Sequence, residues 1–156
     1  MALAKTLFWL ALAVWLGEIV FFSFVVAPSV FGVVPEVAGQ VVGAIFPRYY
    51  ALGAGAGVIA LVAAVALRGA TSATRSWSAI VAMLVVMLVA TLYAGRVIEP
   101  RARALRPRLH TEPVDVAVRA EFDRLHRRAV QLNGAVLLLG IVTLCIAAAS
   151  LDLPRR

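Results

Sequence analysis

Four stretches of this sequence are apolar over lengths that match a membrane crossing: residues 6–27, 49–67, 77–98 and 129–150. A transmembrane helix needs roughly 17–25 predominantly apolar residues, because each residue advances it by about 1.5 Å through about 30 Å of hydrocarbon. Backbone groups in lipid must be satisfied internally, which excludes lipid-exposed loops and open sheet edges. The sequence therefore predicts an all-α membrane protein, a four-helix transmembrane bundle that forms a single domain over residues 1–156.

Composition supports this assignment, because 63% of the residues are hydrophobic and 15% are charged, against about 45–50% and about 25% in soluble domains. Lys5 and the run after it resemble a secretory signal peptide, but the run is too long, contains Glu18 and is followed by Pro28. We therefore interpret it as a retained span. The single cysteine, Cys145, lies in the fourth span and excludes an intramolecular disulfide.

The connection after the first span, residues 28–48, is predicted to contain a short helix. Pro35-Glu36 is typical of a helix start, and Phe46-Pro47 is expected to end the helix before Arg48. About twelve residues would extend only roughly 18 Å, which is too short to span a membrane. We expect this helix to lie at the interface or to enter the bundle as a re-entrant segment.

A second helix outside the hydrocarbon is predicted to lead directly into span four. Thr111-Glu112-Pro113 is a plausible helix start. Apolar residues then recur at helical spacing: Val114, Val118, Phe122, Leu125 and Ala129. This spacing indicates an amphipathic helix that is continuous with the fourth span.

Glycines are concentrated at the start of the second span, where Gly53 and Gly57 form a small-xxx-small pair. In lipid, such pairs allow two helices to approach closely. A phosphate-binding loop would need a preceding strand and a following soluble helix, and the sequence offers neither. We therefore predict helix packing for both glycines.

The net charge of +7 comes mainly from arginines that flank the spans. Ten of the fifteen basic residues lie on the side of the first and third connections, so the positive-inside rule predicts that both termini lie outside. We expect a plasma or inner membrane, with anionic lipid as the partner of the basic connection at about 1 kcal/mol per well-placed arginine. Nucleic acid is not expected, because the arginines lack interleaved stacking aromatics.

Several short motifs lie in a fixed order relative to the spans: Trp15-Leu16-Gly17, Ala27-Pro28 with Phe31, Ala38-Gly39, Phe46-Pro47 with Tyr49-Tyr50, and Phe122 with Leu125-His126 and Asn133. In this order the chain resembles the transmembrane protein 205-like family of uncharacterised four-span proteins over nearly its whole length. The resemblance implies the fold and membrane residence. It implies no activity and no catalytic residue.

Glu18 is the main candidate for a functional residue, because a charge within a span costs roughly 2.5–3.5 kcal/mol. We expect polar residues in the same half of the bundle to shape a site around it: Arg48, Tyr49, Tyr93, Arg96 and Asn133. One interpretation is a ligand or proton site. The other is a neutral acid that ties helices together by bonding to Thr91, Tyr93 or a backbone carbonyl.

These observations leave three classes of function open. The first is binding or transport of a small solute, ion or proton, for which four spans would need a homo-oligomer or a membrane partner subunit. The second is a structural or assembly subunit of a larger complex. The third is a haem or quinone protein with His126 as a single axial ligand, although no cofactor and no metal site are predicted. No nucleophile with a neighbouring base is recognisable, so an enzyme is unsupported.

Overall fold

The computed structural model describes residues 1–70, 73–110, 113 and 115–150. Six α-helices follow one another along the chain: α1 Ala2–Phe21, α2 Ala27–Val33, α3 Ala38–Arg68, α4 Thr74–Tyr93, α5 Glu99–Leu105 and α6 Val116–Ala149. A π-helical turn joins α1 to α2 (Phe22–Val26) and another joins α4 to α5 (Ala94–Ile98). A 3₁₀ turn, Arg106–His110, follows α5.

These elements form four long apolar helices: Ala2–Val33, Ala38–Arg68, Thr74–Leu109 and Val116–Ala149. By length and composition each can cross a membrane, which confirms the predicted all-α four-helix bundle and makes the chain a multi-pass membrane protein. All four are longer than the predicted spans. The first and third connections are therefore mostly helical, and the bundle extends beyond the hydrocarbon at that end.

Neighbouring long helices pack against one another in chain order: α1 on α3, α3 on α4, and α4 on α6. Helix α6 also contacts α1, which closes the bundle. Large side chains fill its centre, and Phe8, Leu12 and Trp15 of α1 are almost completely buried against Ile80 and Leu84 of α4. The outward faces are apolar as well. This pattern is expected when lipid tails rather than water surround the bundle.

The prediction of a separate short helix after the first span is wrong in its boundaries. Residues 35–37 form a turn, α3 begins at Ala38, and it continues through Pro47 to Arg68 as one helix of 31 residues. A proline inside a helix removes one intrahelical hydrogen bond, but neighbouring helices in a membrane protein can satisfy the carbonyl that is freed. Arg48 therefore lies within a helix and not after one.

Two other prolines are accommodated by the π-helical turns. Pro28 is the second residue of α2 and Pro100 is the second residue of α5, directly after the two turns. The backbone N–H of Ala27 donates to the carbonyl of Phe22, and that of Glu99 to the carbonyl of Ala94, each five residues back. The wider turns therefore keep the helices continuous where a proline would otherwise break them.

The predicted amphipathic helix is present and continuous with span four, because α6 runs from Val116 to Ala149. Its cap is Asp115, whose carboxylate accepts a hydrogen bond of 2.8 Å from the backbone N–H of Ala117. The expected start at Thr111-Glu112 lies outside the described residues. The first turns of α6 pack on α5, with Leu125 buried against Ile98 and Ala102.

Candidate functional site

Glu18 lies on the face of α1 that packs against α3. Its Oε1 atom contacts the backbone of Gly53, so closely that a methyl group at position 53 would collide with it. Its Oε2 atom is buried and has no hydrogen-bond partner among the residues that the structure describes. One carboxyl oxygen of the first span is thus enclosed between helices with its hydrogen-bonding capacity unused.

Trp15, one turn before Glu18, explains why the two helices approach closely at this point. Its indole ring is 1% exposed and lies over both glycines of α3. A Cβ atom at Gly53 would lie 3.2 Å from Trp15 Nε1, and one at Gly57 would lie 2.7 Å from Trp15 Cη2. The missing side chains at these two positions make room for the indole and the carboxyl together.

Two further polar side chains reach the same region from other helices. The Tyr49 hydroxyl of α3 donates a hydrogen bond of 2.7 Å to Asn133 Oδ1 of α6. Tyr49 lies one helical turn before Gly53, the residue of α3 that Glu18 contacts. We call Glu18, Tyr49, Gly53 and Asn133 the Glu18 cluster, which combines residues of α1, α3 and α6.

Aromatic rings border this cluster towards the end of the bundle that holds the π-helical turns. Phe22, one turn beyond Glu18, has its ring centroid 5.1 Å from that of Tyr49 and 5.3 Å from that of Phe46. Tyr50 packs edge-on against Tyr49 with centroids 5.1 Å apart. A layer of rings therefore lies between the carboxyl and that end of the bundle.

The remaining predicted site residues lie apart from the Glu18 cluster. Arg48 is exposed and donates to the carbonyl of Ala44 in its own helix, at 3.3 Å. Tyr93 is 44% exposed, and Arg96 is exposed at the edge of a cleft between α3 and the α4–α5 segment. Thr91 is buried and lines that same cleft.

His126, the histidine considered as an axial ligand, is exposed on α6. Its ring stacks on that of Phe122, with centroids 6.4 Å apart and an angle of 7° between the planes. Within the described part of the chain, no group of three or more His, Cys, Asp or Glu residues is placed to hold a metal ion.

A second polar group, which the sequence reasoning missed, surrounds Glu99 at the start of α5. Glu99 is only 7% exposed, and its Oε1 atom accepts hydrogen bonds from Arg103 Nε at 2.9 Å and Nη2 at 2.7 Å. The spacing of the two residues was a usable signal, because an acid four residues before an arginine favours such a pair on one helix face.

Arg103 also stabilises the proline in α3. Pro47 has no N–H, so the carbonyl of Gly43, four residues earlier, loses its partner within the helix. Arg103 Nη2 lies 3.4 Å from that carbonyl oxygen and donates to it. Gly43 has no side chain, and this leaves room for the guanidinium of Arg106, which lies 6.0 Å from the centroid of the Phe46 ring.

Comparison with known proteins gives one match. A family model described as "Domain of unknown function (DUF4149)" matches residues 10–111, which include the second part of α1, all of α2 to α5 and the 3₁₀ turn. It does not name the transmembrane protein 205-like family. No curated protein and no solved structure matches the chain.

Proposed function

The chain belongs to the DUF4149 family, and from that premise we propose that it binds a proton or another small cation at the Glu18 cluster and carries it across the membrane. The observation that carries this proposal is the buried Oε2 atom of Glu18, which has no partner in the described part of the chain. A carboxyl enclosed in this way is stabilised by whatever donates to it or coordinates it. Acids within membrane spans commonly mark ion and proton pathways.

The neighbouring groups suit a cation better than an anion. Carboxyl, hydroxyl and amide oxygens are ligands that small hard cations prefer, and the cluster offers one of each from Glu18, Tyr49 and Asn133. Arg48 and Arg96, the basic residues that we expected near the site, lie away from the cluster. Neither of these two arginines is therefore placed to bind an anionic solute beside Glu18.

Transport also requires that the site can open to both sides. The two π-helical turns lie at the same end of the bundle, beside the aromatic layer over Glu18, and such turns often occur at functional sites where helices change shape. Four spans are few to enclose an ion pathway that opens alternately to the two sides of the membrane. We therefore propose a homo-oligomer or a complex with a membrane partner subunit as the working unit.

A flux measurement in liposomes tests this proposal. The purified full chain is reconstituted, a gradient of H⁺, Na⁺ or K⁺ is imposed, and its decay is followed with an ion-sensitive dye. We expect the wild type to dissipate at least one gradient faster than empty liposomes. Glu18→Gln, which removes the charge but keeps the shape, should reduce the rate to that of empty liposomes.

Glu36→Gln is the matched control, because Glu36 is an exposed acid in the turn before α3. Its flux should equal that of the wild type. If Glu18→Gln carries the same flux as Glu36→Gln, the carboxyl is not the ion site and the proposal is wrong.

The second candidate is an assembly subunit, and exposed small residues on α1 favour it. Ala13 and Gly17 lie four residues apart on a face where a Cβ added at Gly17 would meet nothing within 4 Å. Another membrane helix could pack closely there. Gly17→Leu should then release a partner subunit in a detergent pull-down, whereas a chain that purifies alone and folded would count against this function.

We also propose that the chain is related to the transmembrane protein 205-like family, which it resembles in sequence. It adds no activity to the ion site. A haem or quinone function has only His126 to support it, and that side chain is exposed on α6.

A further inference from the structure

A cleft opens on the side of α3 that faces away from the Glu18 cluster. It has a volume of about 280 Å³ and lies between α3 and the α4–α5 segment. Charged side chains line one end of the cleft and apolar side chains line the other. The charged residues are Arg96, Glu99 and Arg103, and the apolar end includes Ala54 and Leu92, with Tyr50 also in the lining. The small residues Ala51 and Ala54 of α3 leave this space open, while Gly95 on the other wall lets the Tyr50 side chain pack closely against it.

The polar end of the cleft carries an excess of positive charge. Glu99 is its single acid and is already paired with Arg103. Arg96 is exposed, and no ion pair joins it to any residue in the described ranges. Arg96 and Arg103 line the cleft against this one carboxylate, which leaves about one positive charge for an anion to neutralise.

The depth of these arginines corresponds to the lipid headgroups. The sequence predicts that the third span begins at Trp77, and Arg96 follows this residue by nineteen positions. At about 1.5 Å per residue the two lie ~28 Å apart, which is close to the thickness of the hydrocarbon layer. Leu92, one turn deeper in the cleft, is partly exposed and continues into the apolar outer face of α4 at Val89.

We propose that this cleft is a binding site for one anionic phospholipid. The phosphate contacts Arg96 and the outer side of Arg103, whose side chain is 49% exposed despite its pairing with Glu99. The first part of one acyl chain lies against Ala54 and Leu92, and the rest continues along the outer face of α3 and α4. The charge at one end and the apolar wall at the other fit a lipid better than a soluble anion.

Lipid retention measures this site directly. The full chain is purified from nanodiscs that contain equal amounts of phosphatidylglycerol and phosphatidylcholine, and the retained lipid is counted by native mass spectrometry. We expect the wild type to retain phosphatidylglycerol selectively. Arg96→Gln should weaken that retention about fivefold, the factor that corresponds to one arginine contact. Arg101→Gln, an exposed arginine of α5 outside the cleft, should leave it unchanged.

A pair of uncharged variants tests the apolar part of the cleft. Ala54→Leu fills it and should reduce retention of phosphatidylglycerol, whereas Ala66→Leu, at an exposed position near the other end of α3, should not. Circular dichroism and elution volume check that each variant is folded. These two variants keep the proposal testable if Arg96→Gln fails to fold.

Four results would overturn the proposal. The first is equal retention of both lipids by the wild type. The second is an equal loss in Arg96→Gln and Arg101→Gln, which would indicate general attraction to the basic surface. The third is unchanged retention in Ala54→Leu. Displacement of phosphatidylglycerol by millimolar inorganic phosphate would show that the arginines bind phosphate alone and would also contradict the lipid assignment.

Discussion

Glu18 can lie against α3 only because position 53 carries no side chain. The carboxyl occupies the space where a Cβ atom would be, and the indole of Trp15 occupies the space beside it and over Gly57. Two glycines thus position an acid that the bilayer would otherwise disfavour. The unused oxygen of that acid is the group on which the proposed function depends.

Gly53→Ala should therefore displace Glu18 or Trp15. The new methyl group collides with Glu18 Oε1, and overpacking of this kind costs about 1–3 kcal/mol of the free energy of unfolding. The cost is measured by unfolding in detergent. Gly55→Ala is the control, since a Cβ at that position meets nothing within 4 Å. Equal stability of the two variants would show that the close contact at Gly53 is not important.

Tyr49→Phe removes the hydrogen bond that connects α3 to α6. Bonds of this type between membrane helices contribute about 0.6 kcal/mol on average, so the unfolding free energy should fall by about that amount. Tyr93→Phe serves as the control because Tyr93 is 44% exposed on α4. A larger loss in Tyr93→Phe than in Tyr49→Phe would contradict the geometry described for Asn133.

At this scale the sequence identified the acid and two of its neighbours. Glu18 is conspicuous in an apolar run, and Tyr49 and Asn133 lie in the same half of the bundle, nearer to its surface. Depth alone does not fix the rotation of a helix about its axis. For this reason Arg96 and Tyr93, which share that half of the bundle, lie on other faces, and Glu99 with Arg103 was not recognised as a pair.

Prolines determine the shape of the elements at one end of the bundle. Pro28 and Pro100 follow π-helical turns, while Pro47 lies inside a regular helix whose freed carbonyl, that of Gly43, accepts a hydrogen bond from Arg103. A charged group from α5 thus replaces a backbone donor of α3. The contact from α5 therefore helps to keep α3, the helix of the second span, unbroken at Pro47.

This coupling predicts that Arg103 matters less when Pro47 is absent. Arg103→Gln should lower the unfolding free energy by about 1–3 kcal/mol, because it leaves the Gly43 carbonyl and Glu99 without their donor. In a Pro47→Ala background the backbone N–H of residue 47 satisfies that carbonyl. The cost of Arg103→Gln should then be smaller, with a coupling energy of about 0.5–3 kcal/mol in a double-mutant cycle.

Arg101→Gln gives the reference for that cycle, since Arg101 is exposed on the same helix. Its effect should be small and the same in both backgrounds. Additive effects of Arg103→Gln and Pro47→Ala would contradict the account of the helix break.

The positions of the helices were more predictable than their ends. Long apolar runs identify the spans, but a proline in the sequence does not reveal whether a donor from another helix will satisfy the freed carbonyl. The expected end of a helix at Phe46-Pro47 was wrong for this reason. The start of α6 at Val116 likewise depends on a single capping carboxylate, that of Asp115.

For the whole molecule, the arrangement of the four helices fixes which segments share a side of the membrane. The turn at 34–37 lies at one end together with Leu109 and Asp115, and the N-terminus lies at the other end together with Gly69 and Thr74. The excess of basic residues at the first end predicts that it faces the cytoplasm.

Cysteine labelling measures this orientation in a Cys145→Ala background. Val34→Cys and Pro113→Cys should react with a membrane-impermeant maleimide only after the membrane is opened, whereas Ala2→Cys should react in intact cells. Reaction of Val34→Cys in intact cells would reverse the predicted orientation. Opposite behaviour of Val34→Cys and Pro113→Cys would contradict the four-helix arrangement itself.

The proposed function requires that the Glu18 carboxyl exchange a proton or cation within the bundle, and infrared difference spectroscopy on the reconstituted protein observes this exchange at the carboxyl itself. Steps of pH or of cation concentration should produce a carboxyl difference band in the wild type and in Glu36→Gln that is absent from Glu18→Gln. A band of equal size in Glu18→Gln, or no band in the wild type, would show that this carboxyl does not take part and would contradict the account.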